Sequence, residues 1–556
     1  MSASDPYDIL IIGGGINGVG TFRDLAAQGV PALLVDSGDF SSGTSAAPSR
    51  LIHGGLRYLE TGEPRLVRES LLERNLLLKN ARHVVRPQPI WVPLRSWFGG
   101  TSAAVARFLR LRRRPGRKGG VPVKLGLMLY DAFGRKHQTM PNHRMLTAAK
   151  ARAEMPALAD DVAAVAEYYD ARITHPERLV LELVADAEAD CEGAMAVPYL
   201  AAGAHADGRI TLHDRISGEE ISISPRVVIN AAGAWVDLVH GDLGIAGRLM
   251  GGTRGTHLVM RNRQLADDLG GRMLYFETRD FRACLALPLD EEHTYVGTTD
   301  IRTDDPEDRG FTEEEIDYIF DVMHPVLPRT EWRREDIVFA MAGVRPLPFQ
   351  DDRVGAAGEI SRDHRIETYP PAEGRDFQLF TLVGGKWTTY RAFAEQVTDA
   401  VLSHLGRSRR IGTETLPIGG ARDLPETEDA RADWAADLAR ESGVDPGRCA
   451  VLMERYGSRA RDFAMDERED DRRFDALDGY TPAEIARICR TERVCHLEDV
   501  ILRRTLMAFE GRTSRAALSE VAGVMAGTLG WDAETREAEV ETLAAHLRTR
   551  YRAAVA

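Results

Sequence analysis

Residues 7–36 carry the pattern that most restricts how this chain can fold. Tyr7-Asp8-Ile9-Leu10-Ile11-Ile12 is short, nearly all apolar and followed at once by glycine, as in a strand buried on both faces of a parallel sheet. Gly13-Gly14-Gly15-Ile16-Asn17-Gly18 then satisfies G-x-G-x-x-G. Val19 to Gln28 has a helical pattern, and Ala32-Leu33-Leu34-Val35 gives a second buried strand ending on Asp36. In such a unit the first glycine permits a tight turn and the second lets backbone approach a pyrophosphate. The third lets the helix pack close to the strand. Asp36 follows Gly13 by 23 positions, where a carboxylate accepts from ribose hydroxyls. The spacing predicts a doubly wound Rossmann-type α/β domain with a dinucleotide site at Gly13, Gly15, Asn17, Gly18 and Asp36. NAD and FAD both remain open at this point.

Later segments extend the same domain. Val227-Val228-Ile229-Asn230 is a buried run entering Ala231-Ala232-Gly233. Phe377 to Val383 is another, entering Gly384-Gly385-Lys386 and a helical pattern to about Leu405. Between them, stretches such as His257 to Met260 and Thr294 to Gly297 alternate apolar and polar, which predicts an inserted antiparallel sheet. Beyond Gly419-Gly420 strand signals fade, and helical patterns such as Pro482 to Arg490 and Leu497 to Phe509 dominate. At 556 residues the chain is too long for one core. The expected division is a discontinuous oxidoreductase module over residues 1–412 and an all-helical domain over 413–556.

Composition closes off several classes. With 44% hydrophobic and 28% charged residues the chain is neither disordered nor fibrous. A formal charge of −14 argues against nucleic-acid binding through bulk charge. The N-terminus shows no signal-peptide pattern, and no run approaches the roughly 20 apolar residues of a membrane span. Five cysteines suit free thiols in a reducing cytosol. Cys489 and Cys495 with His496 lack a fourth ligand, so no metal site is expected.

Ser41 to Glu60 is dense in hydroxyls, glycines and cations directly after the ribose acid, as a chain threading beside a large planar cofactor would be. Gly384-Gly385-Lys386-Trp387-Thr388-Thr389-Tyr390-Arg391 places glycines before a helix, whose exposed N–H groups suit the negative N1–O2 edge of a reduced flavin. The chain here resembles the FAD-dependent glycerol-3-phosphate dehydrogenases, within the D-amino-acid-oxidase-like flavoenzymes. The resemblance runs through IIGGGINGVG (11–20), SRLIHGGLRYLE (49–60), INAAGAWVD (229–237), VGTTD (296–300), AGVRPL (342–347), SRDH (361–364) and GGKWTTYR (384–391). Asp36 stands where Glu is more usual, and Ala46-Ala47-Pro48 with Arg50 stand where a Ser-rich stretch ending in Lys is more usual.

The resemblance implies FAD held by the fingerprint residues with Thr44, Ser45, Ser49, Arg50, Leu51, His53, Ala232, Gly233, Gly385, Lys386, Trp387 and Thr388. It implies glycerol 3-phosphate as substrate, oxidised by hydride transfer from C2 to flavin N5, with electrons passed to membrane quinone. A dianionic phosphate favours planar, permanently charged donors, so Arg57, Arg345 and Arg362 are expected to bind it, with Tyr58 and Lys386 adding hydrogen bonds. The proton acceptor is His257 or Lys386, with Arg345 beside them in the catalytic set. A soluble oxidase releasing hydrogen peroxide, and a flavin-binding protein without turnover, remain alternatives.

Val105 to Lys118 carries seven basic residues and no acid, with Val105, Phe108 and Leu109 at helical spacing and Trp97 and Phe98 upstream. Residues 97–118 are therefore expected to hold a cytoplasmic protein peripherally on an anionic inner membrane face. A homo-oligomer is possible.

Overall fold

The computed structural model describes residues 7–56, 63–99, 119–135, 139–206, 209–278, 282–350 and 364–555. Its centre is a six-stranded sheet in the order Arg365–Tyr369, Gln378–Val383, Val227–Asn230, Ile9–Ile12, Leu33–Val35, Met195–Val197. The last five run parallel, and Arg365–Tyr369 pairs antiparallel with Gln378–Val383. Ile9–Ile12, Leu33–Val35 and Val227–Asn230 are buried at every position. A sheet of this kind is covered on both faces, which is why its strands read as continuous apolar runs. One face packs on the helix Ile16–Ala27 with Pro176–Asp190 and Tyr390–His404, burying Phe22, Leu25, Val180 and Phe393. The other is covered by the three-stranded sheet Leu200–Ala206, Arg209–Asp214, Glu220–Ile223.

The second sheet has ten strands among the described residues, and its spine is the long antiparallel pair Met250–Arg261 and Ile337–Pro348. It is not wholly an insertion. Leu51–Ile52 and Val85–Leu94, from before the inserted region, join its far edge. Val85–Leu94 also runs parallel to Met273–Glu277, so the sheet is mixed; the long intervening chain makes that crossover possible.

From Gly419 onward the described residues form helices and no strand. Leu438, Leu452, Phe463, Ile485, Leu518 and Leu543 share one core, which is continuous with residues of the large sheet such as Phe339 and Tyr295. The segment expected to be one helix from Leu497 to Phe509 is not. It makes one α-helical turn at Leu497–Asp499 and a π-helical turn at Val500–Arg504, then continues in turns. The wide turn ends with the Thr505 N–H and hydroxyl both donating to Val500 O, at 3.0 and 2.7 Å.

The close approach of helix and strand at the fingerprint rests on Gly18. A Cβ there would lie 1.9 Å from Gly13 O, whereas one on Gly15 would meet only the Ser45 hydroxyl, at 3.2 Å. Gly18→Ala should therefore force the helix off the strand and destabilise by about 1–3 kcal/mol or more. Gly15→Ala should cost much less. Denaturant unfolding of the two apoproteins measures the difference, and equal losses would refute the close-approach argument.

Candidate active site

The fingerprint turn lies at the carboxyl end of the first strand. Gly13 takes φ +114°, and Gly14 N–H donates to Asp36 Oδ2 at 2.6 Å. Gly38 N–H donates to Asp36 Oδ1 at 2.9 Å. Burial pushes the Asp36 carboxyl up to about 6 against these two bonds, which pull it down. Ser45 Oγ accepts from Ile16 N–H at 3.0 Å, the first residue of the fingerprint helix, and Trp387 Nε1 donates to Ser45 O at 3.1 Å. Gly385, at φ +101°, comes so close to Asn17 that a Cβ would sit 2.9 Å from the amide nitrogen. Ala232 and Gly233 follow the Val227–Asn230 strand, where Ala232 N–H donates to Asn230 Oδ1 and Gly233 takes φ +58° with open space at its missing Cβ. The fold thus gathers Gly13, Gly15, Asn17, Gly18, Asp36, Ser45, Gly385 and Trp387 around one helix N-terminus. Buried polar atoms at this end lack partners among the described residues, namely Asn17 Oδ1, Ser41 Oγ and Thr389 Oγ1. Unpaired donors and acceptors beside glycine-opened backbone and a ribose-suited carboxylate are what an adenine dinucleotide fits.

The segment after Ser41 lies between this end and the large sheet. Thr44 Oγ1 donates to Val344 O at 2.6 Å, Ala47 packs where a Gly343 Cβ would be, and Tyr295 hydroxyl donates to Pro48 O at 2.9 Å. Ser49 is half-buried. Arg50, buried at φ +57°, donates to Thr174 O and lies 3.9 Å over the Phe509 ring. Leu51–Ile52 pairs with Arg172 and Ala171 at the sheet edge, and half-buried His53 follows.

On the face of the large sheet beneath that segment stand Arg345 and His257. Arg345 Nη1 donates to Asp300 Oδ1 at 3.0 Å, and Nη2 to Thr298 Oγ1 at 3.1 Å. Its guanidinium occupies the space a side chain on Gly255 would fill. His257 is stacked on Tyr295 with centroids 4.8 Å apart, in room left by Gly297. Neither ring nitrogen of His257 has a hydrogen-bond partner among the described residues. Burial, and then the Arg345 guanidinium, push this imidazole down to about 3, so it is neutral at neutral pH. Lys386 Nζ donates to Ser70 Oγ at 2.8 Å, and Thr388 is buried in the short 3₁₀ turn that follows. Arg57, Tyr58, Arg362 and the basic stretch 105–118 lie outside the described residues.

Several site-shaping residues escaped the sequence reading. Asp300 and Thr298, within the quoted VGTTD, orient Arg345. Behind them Glu315 accepts from Thr256 at 2.8 Å, Thr299 at 2.6 Å and Arg254 at 2.9 Å, fixing the loop from the opposite side. Thr312-x-x-Glu315 is a capping box, the one local signal that could have found that glutamate.

Residues 8–399 match the model of the FAD dependent oxidoreductases, and residues 411–536 match the C-terminal domain of alpha-glycerophosphate oxidase. A glycerol-3-phosphate dehydrogenase of a Synechocystis strain is 33% identical over 96% of this chain and 95% of its own length. An aerobic glycerol-3-phosphate dehydrogenase of Staphylococcus aureus is 30% identical over 82% of this chain and 78% of its own. Among solved structures, the glycerol-3-phosphate dehydrogenase of Bacillus halodurans with FAD superposes with a TM-score of 0.74 at 24% identity, covering 99% of this chain and 96% of that one.

Unfolding releases His257 to its ordinary pKa near 6.5, so between there and about 3 the unfolded chain takes up a proton that the fold refuses. The stability contributed by a neutral His257 is complete above about pH 6.5 and is lost as pH falls. His257→Gln should flatten that fall by up to about 1.4 kcal/mol per pH unit. Denaturant titrations at a series of pH values measure this, and parallel curves for both proteins would refute it.

Proposed function

The chain belongs to the FAD dependent oxidoreductase family, and on that premise we propose that it oxidises sn-glycerol 3-phosphate to dihydroxyacetone phosphate and passes the electrons to membrane quinone. FAD is the cofactor, and the unpaired Asn17, Ser41 and Thr389 atoms around the Gly13–Gly18 turn suit it. The observation that carries the substrate reading is the Arg345–His257 pair. It sets a permanent cation beside a neutral imidazole whose two nitrogens have no partner among the described residues, on the sheet face under the Thr44–Pro48 segment. A phosphate dianion carrying a secondary alcohol needs such a pairing, and the dehydrogenase relatives bear the name of that substrate.

In this reading Arg345 binds the substrate through its planar fork, held at the correct angle by Asp300 and Thr298. Arg57, Tyr58 and Arg362 join it on the strength of their motifs. Bound FAD supplies at N5 the acceptor for the hydride that leaves C2. His257 takes the hydroxyl proton. Its low basicity in the free protein is no obstacle, because the proton grows strongly acidic as the C2–O bond gains double-bond character. Substrate charge on Arg345 also cancels part of the field that holds the imidazole down. Lys386, donating to Ser70 from the turn after Gly385, steadies the substrate oxygens. A second reading is supported by the alpha-glycerophosphate oxidase match over residues 411–536. There oxygen replaces quinone, and stoichiometric peroxide formed under air from substrate alone would favour it.

Anaerobic glycerol 3-phosphate should bleach the visible flavin band of the purified protein, and an unchanged spectrum would sink the proposal. Arg345→Ala should raise KM roughly 10- to 150-fold, the equivalent of a charge-assisted contact of about 1.5–3 kcal/mol, while flavin is retained. Arg345→Lys should recover little. Loss of flavin with normal KM would place Arg345 elsewhere.

Peripheral attachment to an anionic membrane has support from the described part of the surface. Among the described residues no helix is long and apolar enough to cross a membrane. The helix Gly120–Gly134, which follows the basic stretch, exposes Val121, Leu125, Met128 and Leu129 along one stripe. Trp97 packs on Gly120, and Phe98 beside it is 78% exposed. An apolar stripe that follows seven cations in the sequence suits insertion into a lipid headgroup layer, where each cation contributes about 1 kcal/mol. Replacing Arg110, Arg112, Arg113 and Arg114 with Gln should move the protein from vesicle pellet to supernatant at moderate salt, with dye-linked activity intact. Unchanged co-sedimentation would dispose of this attachment.

A further inference from the structure

Three residues beyond the ribose-suited Asp36, a second aspartate is fully buried; it accepts from the adjacent Phe40 N–H, and its charged partners come from the other end of the chain. Asp39 Oδ2 accepts from both Arg503 Nε and Arg504 Nη1, and Oδ1 accepts from Arg504 Nη2 at 2.8 Å. All three side chains are essentially without solvent contact. Both arginines sit in the π-helical turn Val500–Arg504 that interrupts the expected helix, and such turns cluster at functional positions. Arg503 Nη2 also donates to Asp499 Oδ1 at 2.7 Å, and that oxygen takes a hydrogen bond from the Tyr199 hydroxyl at 2.5 Å. Tyr199 N–H in turn donates to Gly38 O at 2.9 Å, and Gly38 N–H donates to Asp36.

The Asp36–Ser42 loop is therefore gripped at two adjacent residues from the helical region. Asp39 is tied directly by the two arginines, and Gly38 is tied through Tyr199 and Asp499. The loop is also supported by the fingerprint, where Gly14 N–H donates to Asp36 and Ser41 N–H to Gly14 O, and by the edge strand, where Asp36 N–H donates to Val197 O and Leu200 N–H to Asp36 O; Arg309 Nη1 donates to Ser42 O. We propose that Arg503 and Arg504 are positioning residues for FAD, and that their hold on Asp39 sets the loop whose Asp36 carboxylate receives the adenosine ribose. The C-terminal helical region thereby controls cofactor retention. The proposal rests on FAD as cofactor and is independent of the substrate assigned above. A bare interdomain ion pair would not need two desolvated guanidiniums on one carboxylate. Taking them out of water is costly before pairing, and they converge on the loop that carries Asp36.

The test uses full-length apoprotein reconstituted with FAD, with ADP as a probe of the adenosine half and FMN as a probe of the flavin half. Asp39→Asn keeps the shape and removes the charge; Arg504→Lys keeps a charge and removes the fork. Both should weaken FAD and ADP in parallel, by about tenfold or more, and leave FMN unchanged. Once saturated with FAD, both variants should keep the wild-type KM for glycerol 3-phosphate. A control for loosened docking is Tyr551→Ala, which removes the stack on Phe339 (centroids 5.1 Å apart) at a separate contact between the helices and the large sheet. It should lower the unfolding midpoint while sparing ADP affinity. Unaltered ADP affinity in Asp39→Asn and Arg504→Lys would overturn the proposal. Equal loss of ADP affinity in Tyr551→Ala would also overturn it, because the arginines would then be acting through stability alone. Should Asp39→Asn fail to fold, the milder Arg504→Lys decides the matter by the same comparison.

Discussion

The missing side chain of Gly18 is the constraint on which the cofactor end of the molecule depends. Its Cα hydrogen faces Gly13 O across a gap that a methyl group would close to 1.9 Å. Only because of that proximity does the helix N-terminus point over the end of the first strand, where Gly14 N–H can reach Asp36. Gly385 extends the same logic from a remote segment, since its bare Cα lets the second glycine turn lie against Asn17. Backbone approach of this kind cannot be replaced by side-chain contacts, because N–H groups must themselves be presented to a phosphate.

Charge is distributed on the opposite principle. The chain is acidic overall, and most of its arginines are engaged by carboxylates, as in Arg391 with Glu73 and Arg448 with Glu467 and Glu484. Arg345 has a carboxylate as well, in Asp300, yet it remains about one-fifth exposed on the site face. Asp300, with Thr298 and the Thr299 carbonyl, therefore orients the guanidinium on that face. The neutral His257 beside it follows from the same field: burial and a neighbouring cation both oppose protonation.

The sequence was most legible where one local rule sufficed. The strands at Ile9–Ile12, Leu33–Val35, Val227–Asn230 and Gln378–Val383 were visible as short apolar runs, because a parallel sheet buries both faces of each. The fingerprint glycines and Asp36 were visible through their spacing. Long-range relations were not. Nothing local announces that Ser70 meets Lys386, or that Glu315 fixes the loop orienting Arg345, since both pairings arise from elements brought together by the sheet. The parallel pairing of Val85–Leu94 with Met273–Glu277 was hidden for the same reason. The π-helical turn has the apolar spacing of plain helix, and periodicity does not register that its two arginines converge on one buried carboxylate.

Asp39 is not the sole point at which the helical region meets the segment from Asp36 to Arg50. At the far end of that segment Phe509 lies under the Arg50 guanidinium, and the same ring is 6.0 Å from Tyr295, on which His257 stacks. The helices thus bracket a stretch of about fifteen residues, holding it electrostatically at Asp39 and through a cation–π contact beside the sheet. Thr44, Ser45, Ala47 and Pro48 between those points bond or pack onto the fingerprint helix and the large sheet. A segment with so little regular structure of its own is ordered by what surrounds it. The helical region, remote in sequence from every motif that signals a flavoenzyme, supplies two of those surrounding contacts. Its core is continuous with the sheet that carries Arg345 and His257, so the two halves of the chain form one support for the site.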